Sequence, residues 1–272
     1  MTEGDRTFDL FELGWDEERE REAAPLREQG LVIGRVAVRH KGQYAVYSEH
    51  GELAARIKGY LRYKAESFSE LPVVGDWVAM KRKEHETLWR IHEIFPRRTE
   101  FRRKARRAGT NVQVLAANVT AVVIVMALTE DYNIRRLERY LVLVHESGAR
   151  PVVVLNKADL LDEEMLEDSL AEVEEVAGDA EIYVLSALGG EGVDKLAPLF
   201  CEGETLVFVG SSGAGKSTLV NAIIGEQRME TGEVRERDGR GRHTTTRREM
   251  ILLPGGGILI ASPGIREVEP YE

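Results

Sequence analysis

From Gly210 to Thr218 the chain reads Gly-Ser-Ser-Gly-Ala-Gly-Lys-Ser-Thr, which satisfies the spacing G-x-x-x-x-G-K-[ST]. Gly210, Gly213 and Gly215 let the backbone N–H groups of the loop, with Ser211, Ser212 and Ala214 between them, curl around phosphate oxygens, and the positive end of a following helix adds to the attraction. In such a loop Lys216 reaches the β- and γ-phosphates and the Ser217 hydroxyl ligates Mg²⁺, with Thr218 continuing the same nucleotide-binding turn. The stretch lies between an apolar run and a helix-like run, which is the context the motif needs. A nucleoside triphosphate site is expected here.

A second stretch, Asn156-Lys157-Ala158-Asp159, ends another apolar run. Asp159 can accept two hydrogen bonds from N1–H and the exocyclic amine of guanine, where adenine offers no matching donor pair. Asn156 can contact the base edge and brace the phosphate loop, and the stem of Lys157 can cover the ring. Ser186-Ala187 follows one strand later and offers the Ala187 amide to guanine O6. Four common residues recur by chance, and Asn-Lys-x-Asp alone also reads as an ordinary loop; at a strand end in a phosphate-loop protein it reads as a guanine site.

A third stretch, Gly241-Arg242-His243-Thr244-Thr245, lies in a charged, glycine-rich segment. Thr244 or Thr245 can sense the γ-phosphate, and Thr245 is assigned beside Ser217 as a Mg²⁺ ligand. Gly264 of Ala261-Ser262-Pro263-Gly264 completes the nucleotide-binding set. After Gly264, where many GTPases place a water-orienting Gln, this chain has Ile265, and an apolar residue cannot orient water. His243, beside the threonines, is the local candidate for that work, against the alternative of an idle loop histidine.

The order of these loops is base, base support, phosphate, switch I, switch II, whereas ordinary GTPases begin with the phosphate loop. Loops at one end of a sheet keep their places when old termini are joined and the chain is cut elsewhere, because a site depends on spatial arrangement. The expected fold is therefore an α/β P-loop GTPase domain, circularly permuted, over residues 112–272.

The rest of the chain must position these loops. It has 272 residues, 43% apolar and 31% charged, with a net charge of −10, which suits a soluble globular protein. No apolar run reaches the roughly 18 residues a membrane span needs. The acidic start lacks the basic and apolar parts of a signal peptide, and the single cysteine, Cys201, forms no internal disulfide. These features favour a cytoplasmic location, and a monomer is expected. Cys201 is read as a small apolar filler rather than a nucleophile.

Residues 1–29 form a charged extension, expected to be loosely ordered with a short helix around Glu17 to Glu28. Five short β-like runs follow over residues 30–100 (31–40, 43–50, 53–61, 76–82 and 88–95), with glycines between them, and suit a small all-β barrel of the OB type. A generic barrel with no nucleic-acid role fits the same pattern. Residues 101–111 read as a basic linker. Between Lys81 and Arg107 eleven Lys and Arg face four Glu, a local +7 on an otherwise acidic chain. Such a stripe suggests a face that meets phosphate, or a solvated strand end. Beyond residue 112, apolar runs at 119–128, 151–156, 180–187 and 205–210 alternate with helix-like runs at 134–148, 163–177, 192–200 and 215–225, and the chain closes on two strands joined by a glycine turn. That alternation means a doubly wound sheet.

The stretches PVVGDWV, RRTEFRRK, AANVTAVVIV, VVLNKADLL, VFVGSSGAGKSTLVNAIIG, GRHTTTRRE and SPGIRE, in this order after a barrel, resemble the ribosome small-subunit-dependent GTPase A family, from about residue 30 to residue 268. The resemblance implies an OB barrel, a permuted GTPase domain, GTP and GDP as ligands with Mg²⁺, and a GTPase stimulated by the small (30S) ribosomal subunit whose late maturation it assists, with that subunit and its rRNA as partners and no membrane. It also implies a Cys- and His-rich zinc domain, for which no ligand set follows Ile265, so zinc is expected only where the native protein continues beyond Glu272. In the family an Asp precedes [Ser/Thr]-Pro-Gly, and here Ala261 replaces it. That carboxylate ordinarily holds Mg²⁺. A GTP-dependent RNA- or ribosome-binding module with little turnover is therefore the rival to the hydrolase.

Overall fold

A computed structural model of the chain describes residues 6–40, 42–65, 67–104, 112–225 and 248–261. His243, Thr244, Thr245, Gly264 and Ile265, and with them the expected switch chemistry, lie outside the described residues.

The first helix, α1 (Glu17–Glu28), starts where Asp16 accepts a hydrogen bond from the Arg19 amide at 2.9 Å, and three Glu in its first turn suit the positive helix end. The loose order expected for this extension is not found at residues 8–15. Leu10, Leu13 and Trp15 are buried, and Trp15 packs edge-on against Trp77 at 4.7 Å and Phe95 at 5.4 Å. The surrounding charges hide three apolar anchors that a composition reading averages away.

The barrel is built from β1 (Val32–His40), β2 (Gln43–Ser48), β3 (Gly51–Ile57), the short α2 (Gly59–Lys64), β4 (Trp77–Lys81) and β5 (Trp89–Ile94). Pairings run β1-β2-β3-β5-β4 and close through β4 to β1, all antiparallel except β3 with β5. This closed five-stranded path is the OB-type topology. Alternate side chains, Val36, Tyr44, Val46, Ala55, Val78, Met80 and Ile91, fill its interior.

The expected basic linker differs. Glu100–Lys104 form β6, which pairs antiparallel with β7 (Val112–Ala117), so its first residues are a hairpin strand whose Phe101 is fully buried. The run of charged residues masked the period-2 pattern.

The second domain contains β8 (Ala121–Ala127), α3 (Ile134–Ser147), β9 (Arg150–Asn156), α4 (Glu163–Ala177), β10 (Glu181–Leu185), a 3-10 turn at Val193–Phe200, β11 (Thr205–Val209), α5 (Lys216–Ile224), β12 (Arg248–Leu252) and β13 (Ile258–Ala261). Its strands lie in the order β10-β9-β8-β11-β13-β12, parallel apart from β12. Every residue of β8 and of β11 is buried, as expected of strands covered on both faces. The chain runs outward from β8 to β10, then crosses back to β11 on the other side of β8. This reversal opens a crevice at the carboxyl ends of β8 and β11, the place where such sheets bind ligands.

The two domains share hydrogen bonds. β1 of the barrel pairs with β12, Val38 opposite Glu249 and Arg39 opposite Arg248, so one sheet of eleven strands runs through both. Arg35 lies at the junction, 1% exposed, donating to the carbonyls of Gly75 (3.1 Å), Asn118 (2.9 Å) and Leu13 and to the Thr205 hydroxyl (2.9 Å). Burial and the neighbouring Arg19 push its pKa down to about 9, still far above neutral, so the guanidinium stays charged with its donors satisfied. Asn118, with a left-handed φ of 53°, binds Arg19, the Arg98 amide and the Gly75 carbonyl through its side chain. One arginine and one asparagine thus tie extension, barrel and GTPase sheet together.

Candidate guanine-nucleotide site

The phosphate loop leaves β11 at Gly210, whose φ is 140°, and a Cβ there would lie 2.1 Å from the Val125 carbonyl of β8. Gly215, at φ 93°, caps α5, and a Cβ on it would lie 2.1 Å from Asn156 Nδ2. No side chain fits at either position. Gly213, the third glycine of the loop, differs from these two in its packing. Gly213 is exposed, and a Cβ on it would meet nothing within 4 Å, so it takes no part in the close packing that shapes the groove. What it supplies is a left-handed φ of 79°, which turns the chain between the exposed Ser212 and the buried Ala214. The spacing of the motif cannot separate a glycine kept for space from one kept for its φ.

From Ala214 the loop enters the N-terminus of α5, where Lys216 and Ser217 begin the helix. Lys216 Nζ donates to the carbonyls of Gly210 (2.8 Å) and Ser211 (2.6 Å), so its ammonium lies over the loop. Backbone donors, a helix end and a lysine around a groove that excludes side chains fit a polyphosphate.

The base-reading loop meets this one directly. Asn156 ends β9 and is 2% exposed; its Nδ2 donates to the Ala214 carbonyl at 2.8 Å, and its Oδ1 accepts from the Ala187 amide at 2.9 Å. One side chain therefore joins all three loops, and the brace expected of Asn156 is present. The Ala187 N–H, expected to meet guanine O6, donates to the carboxamide oxygen of Asn156. Lys157 adopts φ 67°, a left-handed conformation costing about 1–2 kcal/mol outside glycine. That turn starts the short 3-10 segment Ala158–Leu160 and leaves Asp159 exposed at the mouth of the site. Ser186 is buried, its hydroxyl accepting from the Gly189 amide at 3.2 Å, which fixes the loop that carries Ala187.

Sequence reasoning missed Asp131, in the loop after β8. Its carboxylate accepts from the Ser211 hydroxyl and from Arg136 at 2.8 and 2.9 Å, so the start of α3 is tied to the phosphate loop. Burial alone would raise its pKa, but Ser211 and Arg136 outweigh burial and hold the carboxyl below its ordinary value. The available signal was an acidic residue at the carboxyl end of a buried strand in an α/β sheet.

The metal side of the site is sparse. Ser217, at the start of α5, is partly exposed and available to Mg²⁺, while Ala261 ends β13 at 5% exposure with no carboxylate to offer. No cluster of three His, Cys, Asp or Glu that could hold a metal ion occurs among the described residues. Two further expectations are corrected. Arg97, assigned to the basic stripe, is 13% exposed, forked onto Asp76 at 2.7 and 2.8 Å and bonded to the Ser69 and Leu71 carbonyls, and it braces the barrel instead of meeting solvent. Arg98 likewise pairs with Asp16 and Glu18 of the extension. Cys201 is exposed rather than a core filler, its thiol donating to the Pro198 carbonyl at 3.2 Å.

A sequence model described as RsgA GTPase matches residues 94–270, well over half of the chain. The chain belongs to the RsgA GTPase family. A relative from Opitutus terrae, "Small ribosomal subunit biogenesis GTPase RsgA", is 41% identical over 96% of this chain and 72% of its own length. Among solved structures, YjeQ from Thermotoga maritima superposes with a TM-score of 0.64 at 26% identity, over 86% of this chain and 74% of that one. YloQ, described as a circularly permuted GTPase, superposes with a TM-score of 0.61 at 23% identity, over 88% of this chain and 73% of that one, and shares the fold. As an RsgA-family GTPase the chain acts on GTP, and the loop order read from its sequence is the permuted order. No described helix is long and apolar enough to cross a membrane.

Proposed function

We propose that this GTPase serves small ribosomal subunit biogenesis in the cytoplasm, binding the 30S subunit through its rRNA and assisting late maturation while it hydrolyses GTP. The Asn156 bridge from the base loop to Ala214 and Ala187 carries the nucleotide half of this reading, because it makes guanine recognition and phosphate binding one preorganised unit. Support for the ribosomal half is the name borne by relatives about 40% identical over nearly the whole chain.

In this reading Asp159 selects guanine, Lys216 and the loop amides hold the β- and γ-phosphates, and Ser217 with Thr245 holds Mg²⁺. When bound, the ion neutralises charge on the phosphate oxygens as the terminal phosphoryl group leaves. His243 positions the attacking water and Thr244 senses the γ-phosphate. With Arg97 and Arg98 occupied in the fold, contact with RNA falls to Arg102, Arg103, Lys104, Arg106 and Arg107.

Single-turnover GTP hydrolysis with and without purified small subunits tests this. Stimulation by the subunit is expected. Nucleotide-dependent subunit binding with no turnover in either arm would select the rival binding-module reading, to which the carboxylate-free end of β13 at Ala261 points.

A further inference from the structure

The barrel carries a second charged surface besides the basic hairpin. In the closed ring β3 and β5 are the two strands that do not touch β1, the strand joined to the GTPase sheet, so their outer face lies on the far side of the barrel. There Arg56 of β3 lies opposite Arg90 of β5, and Arg90 lies opposite Lys81 of β4. Like charges directly opposite one another destabilise a sheet. Two of the three are partly compensated, Arg90 by Glu86 at 2.9 Å and Lys81 by the Gln29 carbonyl at 2.8 Å.

The row continues into α2, which follows β3 through Lys58. Arg56, Lys58, Arg62 and Lys64 are exposed, their side chains make no hydrogen bond or ion pair among the described residues, and no acid interrupts residues 56–64. The helix also carries two aromatic rings outward. Tyr60 is 65% exposed and Tyr63 is 92% exposed, three residues apart and hence on one face. α2 buries no residue at all, and an open cleft of about 320 Å³ runs beneath it, lined by Ile57, Leu61, Leu71 and Ile94 with Lys64 and Glu70 among its polar residues. Tyrosines that support no core, beside cations whose side chains hold no hydrogen-bonded ion pair, fit a polyanion whose planar groups are free to stack.

We propose that the α2 face, Tyr60 and Tyr63 with Arg56, Lys58, Arg62 and Lys64, is a contact for unpaired RNA bases. The cations hold the backbone and the two rings stack bases, an arrangement that a duplex, with its bases already stacked, cannot use. The proposal deepens the reading that this chain meets ribosomal RNA, and rests on it. It adds a second point of attachment on the opposite side of the barrel from the β1–β12 junction, so subunit binding gains from two linked contacts.

The test uses the full chain, a fluorescein-labelled 12-nucleotide oligouridylate and a 12-base-pair RNA duplex, followed by anisotropy. Tyr60→Ala with Tyr63→Ala is expected to weaken binding of the single strand about tenfold or more, the size expected for lost base stacking. Duplex binding and GDP affinity should stay within about twofold, since neither uses the rings. Tyr60→Phe with Tyr63→Phe should restore single-strand binding, because the ring and not the hydroxyl stacks. Equal single-strand binding by the Ala pair, or an equal loss for the duplex, overturns the proposal. So does a change in self-association on sedimentation with RNA binding intact, which would assign the surface to a second copy. Subunit-stimulated hydrolysis by the unmodified chain reports separately on the ribosomal reading.

Discussion

Replacing Asn156 by Ala removes the one side chain that touches both the phosphate loop and the Ala187 loop. Two hydrogen bonds disappear, to the Ala214 carbonyl at 2.8 Å and from the Ala187 amide at 2.9 Å. Both stranded groups belong to buried residues, Ala214 fully and Ala187 at 5% exposure, so water does not easily replace the lost partner. Each orphaned buried group costs about 1–3 kcal/mol, and some relaxation brings the pair to roughly 2–4 kcal/mol. For a domain of this size that is a fall in Tm of about 5–15 °C. Guanine nucleotide affinity should drop at least about tenfold, since the base loop and phosphate loop no longer hold each other in register. Asn156→Asp separates the two bonds: it keeps an acceptor for the Ala187 amide but sets a carboxylate against the Ala214 carbonyl, so its loss should fall mainly on the phosphate side. Thermal melting without nucleotide and calorimetry with GDP measure the two effects. An Ala variant that melts with the parent protein and binds GDP equally well would show that the bridge positions nothing.

Four other outcomes are expected. GDP should bind at least about tenfold more tightly than ADP by calorimetry, because adenine leaves Asp159 without its donor pair at a cost of about 1–3 kcal/mol for each unmatched group; comparable affinities would remove Asp159 from base selection. Ala261→Asp should tighten Mg²⁺-dependent GTP binding and raise hydrolysis, and unchanged values across a Mg²⁺ titration would mean the ion never relied on the end of β13. The hydrogen bond from Arg98 holds Asp16 at about 2, a depressed folded pKa, so that pair stabilises fully above the ordinary carboxylate value and is lost as pH falls from 4 toward 2. Arg98→Ala should flatten the unfolding free energy against pH in that window by under about 1 kcal/mol, both side chains being over a third exposed. Charge reversal at Arg102, Arg103 and Arg106 should weaken small-subunit binding and reduce its salt slope while GTP affinity survives; normal binding at several salt concentrations would reduce the stripe to a solvated face.

The elements that could be read ahead of the structure are those whose signal is local. α4 spans Glu163–Ala177 because Asp162 caps it, accepting from the Met165 amide at 2.9 Å, and α3 stops at Gly148, whose left-handed φ of 78° no β-branched residue would take. Most barrel strands and the buried strands of the sheet were visible as alternation and as continuous apolar runs, and the permuted order was visible as motif order, but the run read as β-like over 53–61 divides into β3 (Gly51–Ile57) and α2 (Gly59–Lys64). The hairpin strand β6 was not, since a run such as Arg102-Arg103-Lys104 looks like a linker until its partner β7 is known. Nor was the packing of Leu10, Leu13 and Trp15, which needs Trp77 and Phe95, more than 60 residues later, to become a core.

The same division runs through the site. A motif fixes which groups face a nucleotide, because backbone amides, a lysine and a carboxylate act locally, and those groups were legible. Even there the three glycines of the phosphate loop read alike, and only the packing separates Gly213, free of neighbours, from Gly210 and Gly215, hemmed in by Val125 and Asn156. What a motif leaves open is how its loops are held against one another, and in this chain that task belongs to side chains with long-range partners. Asn156 reaches Ala214 and Ala187, Asp131 reaches Ser211, and Arg35 reaches Thr205 across the domain junction. Asn156 and Arg35 are polar groups that burial makes costly to leave unpaired, and burial is a property of the folded chain. Arg97 shows the reverse case: among the eleven basic residues of the stripe it is indistinguishable by sequence, yet Asp76 opposite it converts a would-be phosphate contact into a brace for the barrel. The strand β12 extends that logic to the switch. It follows the threonine-rich segment in the chain and pairs with β1, so the strand that leaves that segment is hydrogen-bonded to the barrel. Two strands, β13 and β12, therefore separate β11, which leads into the phosphate loop, from β1 of the domain proposed to meet RNA.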